Sequence, residues 1–155
     1  LADPRTQVVV EMDADLSHDP SCLPSLVGAA ERSGGVGLGS RYVQEGNVVG
    51  WSRKRRIVSW GANLLTRTIL GLHVKDATSG YRAFTRNVLE TIGYMNTGTK
   101  AYAFQVEMLH MCAKSKFPIE EVPITFYERQ LGKSKLTRRD MFDFLKTLMR
   151  LRFGS

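Results

Sequence analysis

The sequence predicts an α/β fold, a mostly parallel mixed sheet flanked by helices, and three observations carry that expectation. Short β-branched or glycine-spaced runs alternate with amphipathic stretches of helical period, the order that parallel strands with crossover helices require. The first such run, Val8-Val9-Val10, ends abruptly in acidic residues, as a buried strand does where it meets a site. The chain has 155 residues, 43% of them hydrophobic and 24% charged, which suits one domain with its own core rather than two.

Each element has its own justification. Gln7 to Met12 is a continuous β-branched run and reads as a strand. Leu23 to Arg32 reads as a helix, stopped by Ser33-Gly34-Gly35, because glycine readily takes the left-handed conformation that ends helices. Val36 to Ser40 is a short strand, and Glu45 to Gly50 a polar, glycine-containing loop. A long helix is expected from about Arg53 to Leu70, with Ile57, Val58, Trp60, Leu64, Leu65, Ile69 and Leu70 as its apolar set. Ala83 and Phe84 end another strand-like piece, followed by a short helix over Asn87 to Ile92. Ala103 to Lys114 reads as a helix, and Ile119 to Tyr127 as a strand interrupted by Pro123, which has no N–H for a ladder. A last helix runs from about Arg138 to Arg152. There is no internal repeat, no low-complexity tract and no stretch near the roughly 18–20 apolar residues of a membrane-spanning helix. The chain opens on Leu1 and enters a strand after a handful of residues, so a fragment lacking upstream residues is expected.

Composition narrows the partners. Cys22 and Cys112 lie far apart, which excludes a disulfide scaffold or zinc module and suggests buried, reduced thiols in a cytosolic compartment. The net charge of +7 favours an anionic partner: nucleic acid, a membrane surface or a phosphorylated ligand. No nucleic-acid-binding module and no aromatic platform interleaved with the charges is visible, so nucleic acid is not expected.

The residues that carry chemistry fall into three groups. In Glu11-Met12-Asp13-Ala14-Asp15, two carboxylates one residue apart stand at a strand end. They suit one hard cation, Mg2+ or Mn2+, shared with a diphosphate; the alternative is a solvated acidic turn capping the next helix. The second group is cationic. Arg41 follows the strand Val36–Ser40, Arg53-Lys54-Arg55-Arg56 opens the long helix, and Arg129 and Lys135 flank Gln130-Leu131-Gly132-Lys133-Ser134. Arginine forks and lysine ammoniums suit phosphate oxygens, although the 53–56 run also reads as a solvated helix face. The third group is amphipathic. Met141, Phe144, Leu145, Leu148, Met149 and Leu151 form a stripe, with Arg138, Arg139, Lys146, Arg150 and Arg152 mostly around it. Such helices either pack on the core or lie in a membrane interface. Gln105 and Glu107, two apart, do not share a helix face, yet both can reach a site at a helix start; a buried structural Glu is the alternative. His18, His73 and His110 show no metal-ligand spacing and read as incidental.

Together these segments resemble one family. The run Val9-Val10-Glu11-Met12-Asp13-Ala14-Asp15-Leu16-Ser17-His18-Asp19-Pro20 resembles the metal-binding strand end of polyprenyl-phosphate mannosyltransferases, the dolichol-phosphate mannose synthases. These are inverting enzymes of glycosyltransferase family 2 with a GT-A (Rossmann-like) fold. Gly39-Ser40-Arg41-Tyr42, Trp51 with Lys54-Arg55, Ser59 through Asn63 and Asp76-Ala77-Thr78-Ser79-Gly80-Tyr81-Arg82 then match in order. So do Phe104-Gln105-Val106-Glu107-Met108, Glu121-Val122-Pro123-Ile124, and Glu128-Arg129 with Gly132, Ser134 and Lys135.

The resemblance implies transfer of mannose from GDP-mannose to a polyprenyl phosphate such as dolichyl phosphate, using Mg2+ or Mn2+. It places Asp13, Ala14 and Asp15 at the donor diphosphate, with Asp13 and Asp15 on the metal. Ser17 stands where many relatives carry glutamine as a further metal contact. Arg41, Arg55 and Ser59 would hold the acceptor phosphate, Gln105 and Glu107 would line the sugar pocket, and Arg129 and Lys135 would close over the donor. Asp15, Arg41 and Arg129 are the implied catalytic residues, Arg41 serving donor and acceptor alike. Residues 1–155 would be the carboxyl-terminal portion of one GT-A catalytic domain, ending in a membrane-facing helix, 138–152. The family's first half, with its Pro-x-Tyr-Asn-Glu strand, has no counterpart here, which leaves a sheet edge unpaired and half the nucleotide pocket missing. Relatives without carboxyl-terminal spans dock through amphipathic helices or a small membrane-spanning subunit. A cytoplasmic protein, peripheral on the cytosolic face of the endoplasmic reticulum or plasma membrane, is therefore expected. The competing readings are another polyprenyl-phosphate glycosyltransferase using UDP-glucose, and a non-catalytic basic module that binds anionic lipid.

Overall fold

The computed structural model describes residues 3–96, 102–128 and 138–154. The elements are β1 (Val8–Glu11), α1 (Leu23–Ser33), β2 (Val36–Ser40), β3 (Asn47–Val49), α2 (Arg53–Leu70), β4 (Arg82–Thr85), α3 (Arg86–Ile92), α4 (Tyr102–Lys114), β5 (Ile119–Pro123), β6 (Thr125–Tyr127) and α5 (Arg138–Phe153). Four strands form one mixed sheet in the order β1-β4-β2-β5, flanked by helices. β2 and β5 pair in parallel, from Val36 opposite Ile119 to Ser40 opposite Pro123. β4 lies reversed between β1 and β2, with Glu11 opposite Arg82 on one side and Leu38 opposite Arg82 on the other. β1, β2 and β5 therefore run the same way, and their carboxyl ends gather at one edge of the sheet. β1 is an outer strand and its four residues are only half-buried, so its far edge has no partner among the described residues.

Sequence explains the packing at β2. Val36 and Leu38 face α3, α4 and α5, where they join Phe84, Val88, Met108, Val106, Leu109 and Leu148. The alternate positions are glycines. At Gly37 a Cβ would run into the Leu26 carbonyl and crowd the Ala30 amide, so only glycine lets α1 lie directly on the sheet. On that face Leu26 and Ala30 meet Tyr81, Ala83 and Ile124. Gly34 ends α1 with φ at 66°, as the stop signal required. Cys112 is fully buried, which pushes its thiol up to about 12, whereas Cys22 is only partly buried, contrary to expectation, because it lies at the amino end of α1.

Three further expectations change. The loop expected at Glu45–Gly50 contains β3, and the single interrupted strand at Ile119–Tyr127 is two strands in different sheets. Ile124 makes the transfer: its N–H donates to the Ser40 carbonyl (3.1 Å), while its carbonyl accepts from Asn47 N–H (3.0 Å). β6 then pairs in parallel with β3, forming a small second sheet beyond β2. The apolar stripe of α5 also divides. Leu148 is fully buried, with Phe144 and Leu151 packed beside it, but Met141, Phe142, Leu145, Met149 and Phe153 stay exposed. α2 behaves likewise: Leu70 is in the core, Ile57 is 69% and Trp60 57% exposed, and Leu64 and Leu65 are also exposed. No helix among the described residues is long and apolar enough to cross a membrane.

Candidate functional site

Beyond the end of β1 the chain makes a tight acidic turn. The Asp15 carboxylate accepts the Ser17 N–H (3.1 Å) and the Ser17 hydroxyl, an Asx-type closure. This needs Leu16 at φ 64°, a left-handed conformation uncommon for leucine, with the side chain 71% exposed. The turn is fastened to β6, since the Ser17 carbonyl accepts from Tyr127 N–H at 3.0 Å. Asp13 and Ala14 lie exposed at its front. Ser17 is fully buried and hydrogen-bonded to Asp15, so it orients that carboxylate from behind.

Gln105 reaches the turn and Glu107 does not. A Cβ on Gly80 would lie 3.7 Å from Gln105 Nε2 and 3.9 Å from Asp13 Oδ1, so both side chains converge over that glycine. Gln105 Nε2 donates to Glu11, and its buried Oε1 has no hydrogen-bond partner among the described residues. Glu107, two residues on, points to another side of α4, where Oε1 is 3.7 Å from Arg150 of α5. Arg82 holds the intervening loop open: its fully buried guanidinium donates to the carbonyls of Ser79 (2.7 Å), Ala77 (3.1 Å) and Gln105. Burial lowers its pKa to about 10, with nearby Glu11 opposing that shift, and it still stays charged at neutral pH.

The cationic half stands at the end of β2. Arg41 forms a buried fork with Asp76: Nε and Nη2 each donate across 2.7 Å, and the Arg41 N–H adds a bond of 3.0 Å. Thr78 Oγ1 accepts from the same Nη2 at 2.9 Å. The guanidinium also lies 5.5 Å from the Tyr42 ring centre, 5.4 Å from that of Trp51 and 5.5 Å from that of Phe126. Arg55 sits 4.2 Å over Trp51 and pairs with Glu128 at 2.9 Å. The Tyr42 hydroxyl donates to Ser59 Oγ at 3.0 Å. Arg41, Arg55 and Ser59 are thus joined through Trp51 and Tyr42. Beside them opens a groove of about 370 Å³ lined by Arg41, Tyr42, Asn47, Val48, Arg56, Ile57 and Trp60. Arg129 and Lys135 lie outside the described residues.

Sequence reasoning missed Asp76, Arg82, Arg56 and His18 as individuals. Asp76 is fully buried, its segment held by Glu121, which accepts the Lys75 and Asp76 amides, and by Asn63 on Ala77 N–H. The signal available was a lone acid, Asp76, within a run of small residues. For a metal the donor set is all hard oxygen: Asp13, Asp15 and the substrate side. No group of three or more His, Cys, Asp or Glu side chains converges among the described residues. Carboxylate oxygens such as those of Asp13 and Asp15 suit Mg2+ or Mn2+, which needs only one or two carboxylates when phosphates and water complete the shell.

Spaced carboxylates after β1 and arginines at and beyond the end of β2, two strands that run the same way on either side of β4, stand where ligand sites form in open α/β sheets. Residues 2–93 match the profile of Glycosyl transferase family 2, and the chain belongs to that family. It is 45% identical over 130 residues to the undecaprenyl-phosphate mannosyltransferase of Micrococcus luteus, covering 84% of this chain and 53% of that protein. It is 43% identical over 130 residues to the polyprenol monophosphomannose synthase of Mycolicibacterium smegmatis, covering 84% of this chain and 49% of that protein. The chain spans about half the length of the curated relatives it matches.

Proposed function

We propose that the protein takes part in inverting transfer of mannose from GDP-mannose to a polyprenyl (dolichyl) phosphate. The observation that carries this reading is that the Asp13–Asp15 turn and the Arg41, Arg55 and Ser59 cluster lie at the same edge of the sheet, beyond the ends of β1 and β2, with Phe126 touching both His18 and Arg41. The names of the two relatives support mannose as the sugar and a polyprenyl phosphate as acceptor.

In this reading Asp13 and Asp15 hold Mg2+ or Mn2+, which when bound offsets the charge that develops on the departing diphosphate. Gln105 lies against the sugar. Arg41 and Arg55 orient the acceptor phosphate, with Ser59 beside it. The acceptor is a phosphate monoester with a second pKa of about 6, so at neutral pH it attacks as an anion and needs aim rather than a general base. One of its oxygens bonds to the anomeric carbon as the bond to GDP breaks, and the configuration inverts. The polyprenyl tail leaves along the groove beside Ile57 and Trp60. The exposed apolar faces of α2 and α5, edged by Arg150, Arg152 and Lys146, rest on the cytosolic face of the endoplasmic reticulum or plasma membrane, alone or with a small membrane-spanning subunit.

The test is transfer from GDP-mannose against UDP-glucose to a polyprenyl phosphate, with Mg2+ and with chelator, for the native protein and Asp15→Asn. Metal-dependent mannosyl transfer that Asp15→Asn abolishes supports the reading. Glucosyl transfer would move the protein to the UDP-glucose class. Salt-sensitive binding to anionic vesicles without any transfer would leave only a lipid-binding module.

A further inference from the structure

His18 does more than fill space behind the acidic turn. Its Nδ1 accepts the backbone N–H of Asp13 at 3.2 Å, which identifies the ring as the Nε2–H tautomer at this contact. The ring is buried, stacked on Tyr81 at 4.7 Å between centres with 21° between planes, and meets Phe126 edge-on at 5.3 Å. Its backbone forms an isolated antiparallel bridge with Phe126. Tyr81 is itself immobilised, fully buried with its hydroxyl donating to the Asp19 carbonyl at 3.0 Å. One end of the turn is therefore tied to a ring clamped between Tyr81 and Phe126. The other end is closed by Ser17 on Asp15, across the left-handed Leu16.

We propose that His18 is a positioning residue that sets the direction of Asp13, and so the spacing of the Asp13 and Asp15 carboxylates, through its bond to the Asp13 amide. The inference rests on the reading of this turn as the holder of a divalent cation and diphosphate. The amide fixes the first peptide of the turn, and the clamped ring fixes the amide. Loss of the acceptor nitrogen frees that peptide to rotate and separates the two carboxylates, although neither carboxylate has been touched. Partners that orient ligands in this way typically govern metal affinity by about 10–100-fold.

Two variants separate aim from packing. His18→Phe keeps an aromatic ring for Tyr81 and Phe126 but loses the acceptor; His18→Asn restores an acceptor oxygen near the Nδ1 position and loses the ring. The readouts are Mn2+ binding in the presence of GDP, followed by electron paramagnetic resonance, and hydrogen exchange at the Asp13 amide. The proposal expects His18→Phe to weaken Mn2+ binding by at least about 10-fold and to speed Asp13 exchange, with His18→Asn closer to the native protein in both. Native Mn2+ affinity in His18→Phe overturns it, as does equal weakening in both variants with equal loss of thermal stability. If the native protein itself binds no Mn2+ with GDP, the functional reading has failed. In that case slower Asp13 exchange in the native protein and in His18→Asn than in His18→Phe still upholds the positioning role, and unchanged exchange overturns it.

Discussion

Asp76→Asn keeps the shape of the side chain and removes its charge. The Asp76 side chain is 0% exposed and that of Arg41 7%, so neither partner has water to fall back on. The carboxylate accepts Nε, Nη2 and the main-chain N–H of Arg41, and the Thr78 hydroxyl at 3.3 Å. Asparagine turns one of those two oxygens into a donor that faces a guanidinium made only of donors. A buried cation then remains without its counter-charge, which costs about 3–5 kcal/mol. For a chain of this size that is a fall of roughly 6–20 °C in Tm. The assay is guanidinium unfolding of native, Asp76→Asn, Arg41→Gln and the double variant. The double variant is expected to recover much of the loss, since an uncharged amide pair replaces a stranded charge. If the proposed acceptor role of Arg41 holds, the acceptor KM rises in Asp76→Asn through misorientation of Arg41. Stability of Asp76→Asn within about 1 kcal/mol of native, or strictly additive losses in the double variant, would refute the reasoning.

Other perturbations have defined outcomes. Gly37→Ala forces α1 off the sheet at the Leu26 carbonyl and is expected to cost at least about 1–3 kcal/mol in denaturant unfolding. Leu16→Val places a β-branched residue at φ 64° and is expected to cost about 1–2 kcal/mol, whereas Leu16→Gly holds stability near native. His110 has a pKa below its ordinary 6.5, first because of burial, then because of Lys114, with Arg152 adding to the shift and the Leu151 backbone opposing it. The unfolded chain therefore takes up the proton first, so this group's contribution is full above pH 6.5 and is lost as pH falls through 6.5 toward the lower folded value. The pH dependence of the unfolding midpoint should flatten there in His110→Gln.

Patterns of local origin were legible. The expected span of α2, about Arg53 to Leu70, matches the structure, where the Ser52 side chain accepts Arg55 N–H at 3.3 Å at one end and Gly71 at φ 66° closes the other. β2 was legible because Val36 and Leu38 alternate with glycines. β3 was not, since in a three-residue strand only Val48 is buried and no period can establish itself. The direction of β4 leaves no mark in a hydrophobic pattern, because a reversed strand buries the same residues. At the site the carboxylates and arginines were legible by type and position. Their partners were not: Arg41 and Asp76 are 35 residues apart, and His18 gains its meaning from Tyr81 and Phe126, which only the folded chain brings near. Gln105 and Glu107 were legible as residues on different faces of one helix, and the structure shows Gln105 toward Glu11 and Glu107 beside Arg150.

Phe126 lies where the two halves of the site touch, edge-on to His18 at 5.3 Å, edge-on to Trp51 at 5.3 Å and 5.5 Å from Arg41. It belongs to neither the acidic turn nor the arginine cluster, yet its ring borders both. Contacts this close make energetic effects interdependent. Substitutions at His18 and at Trp51 will therefore fail to sum, their non-additivity will vanish when Phe126 is cut to alanine, and kinetic losses will not sort into a donor share and an acceptor share.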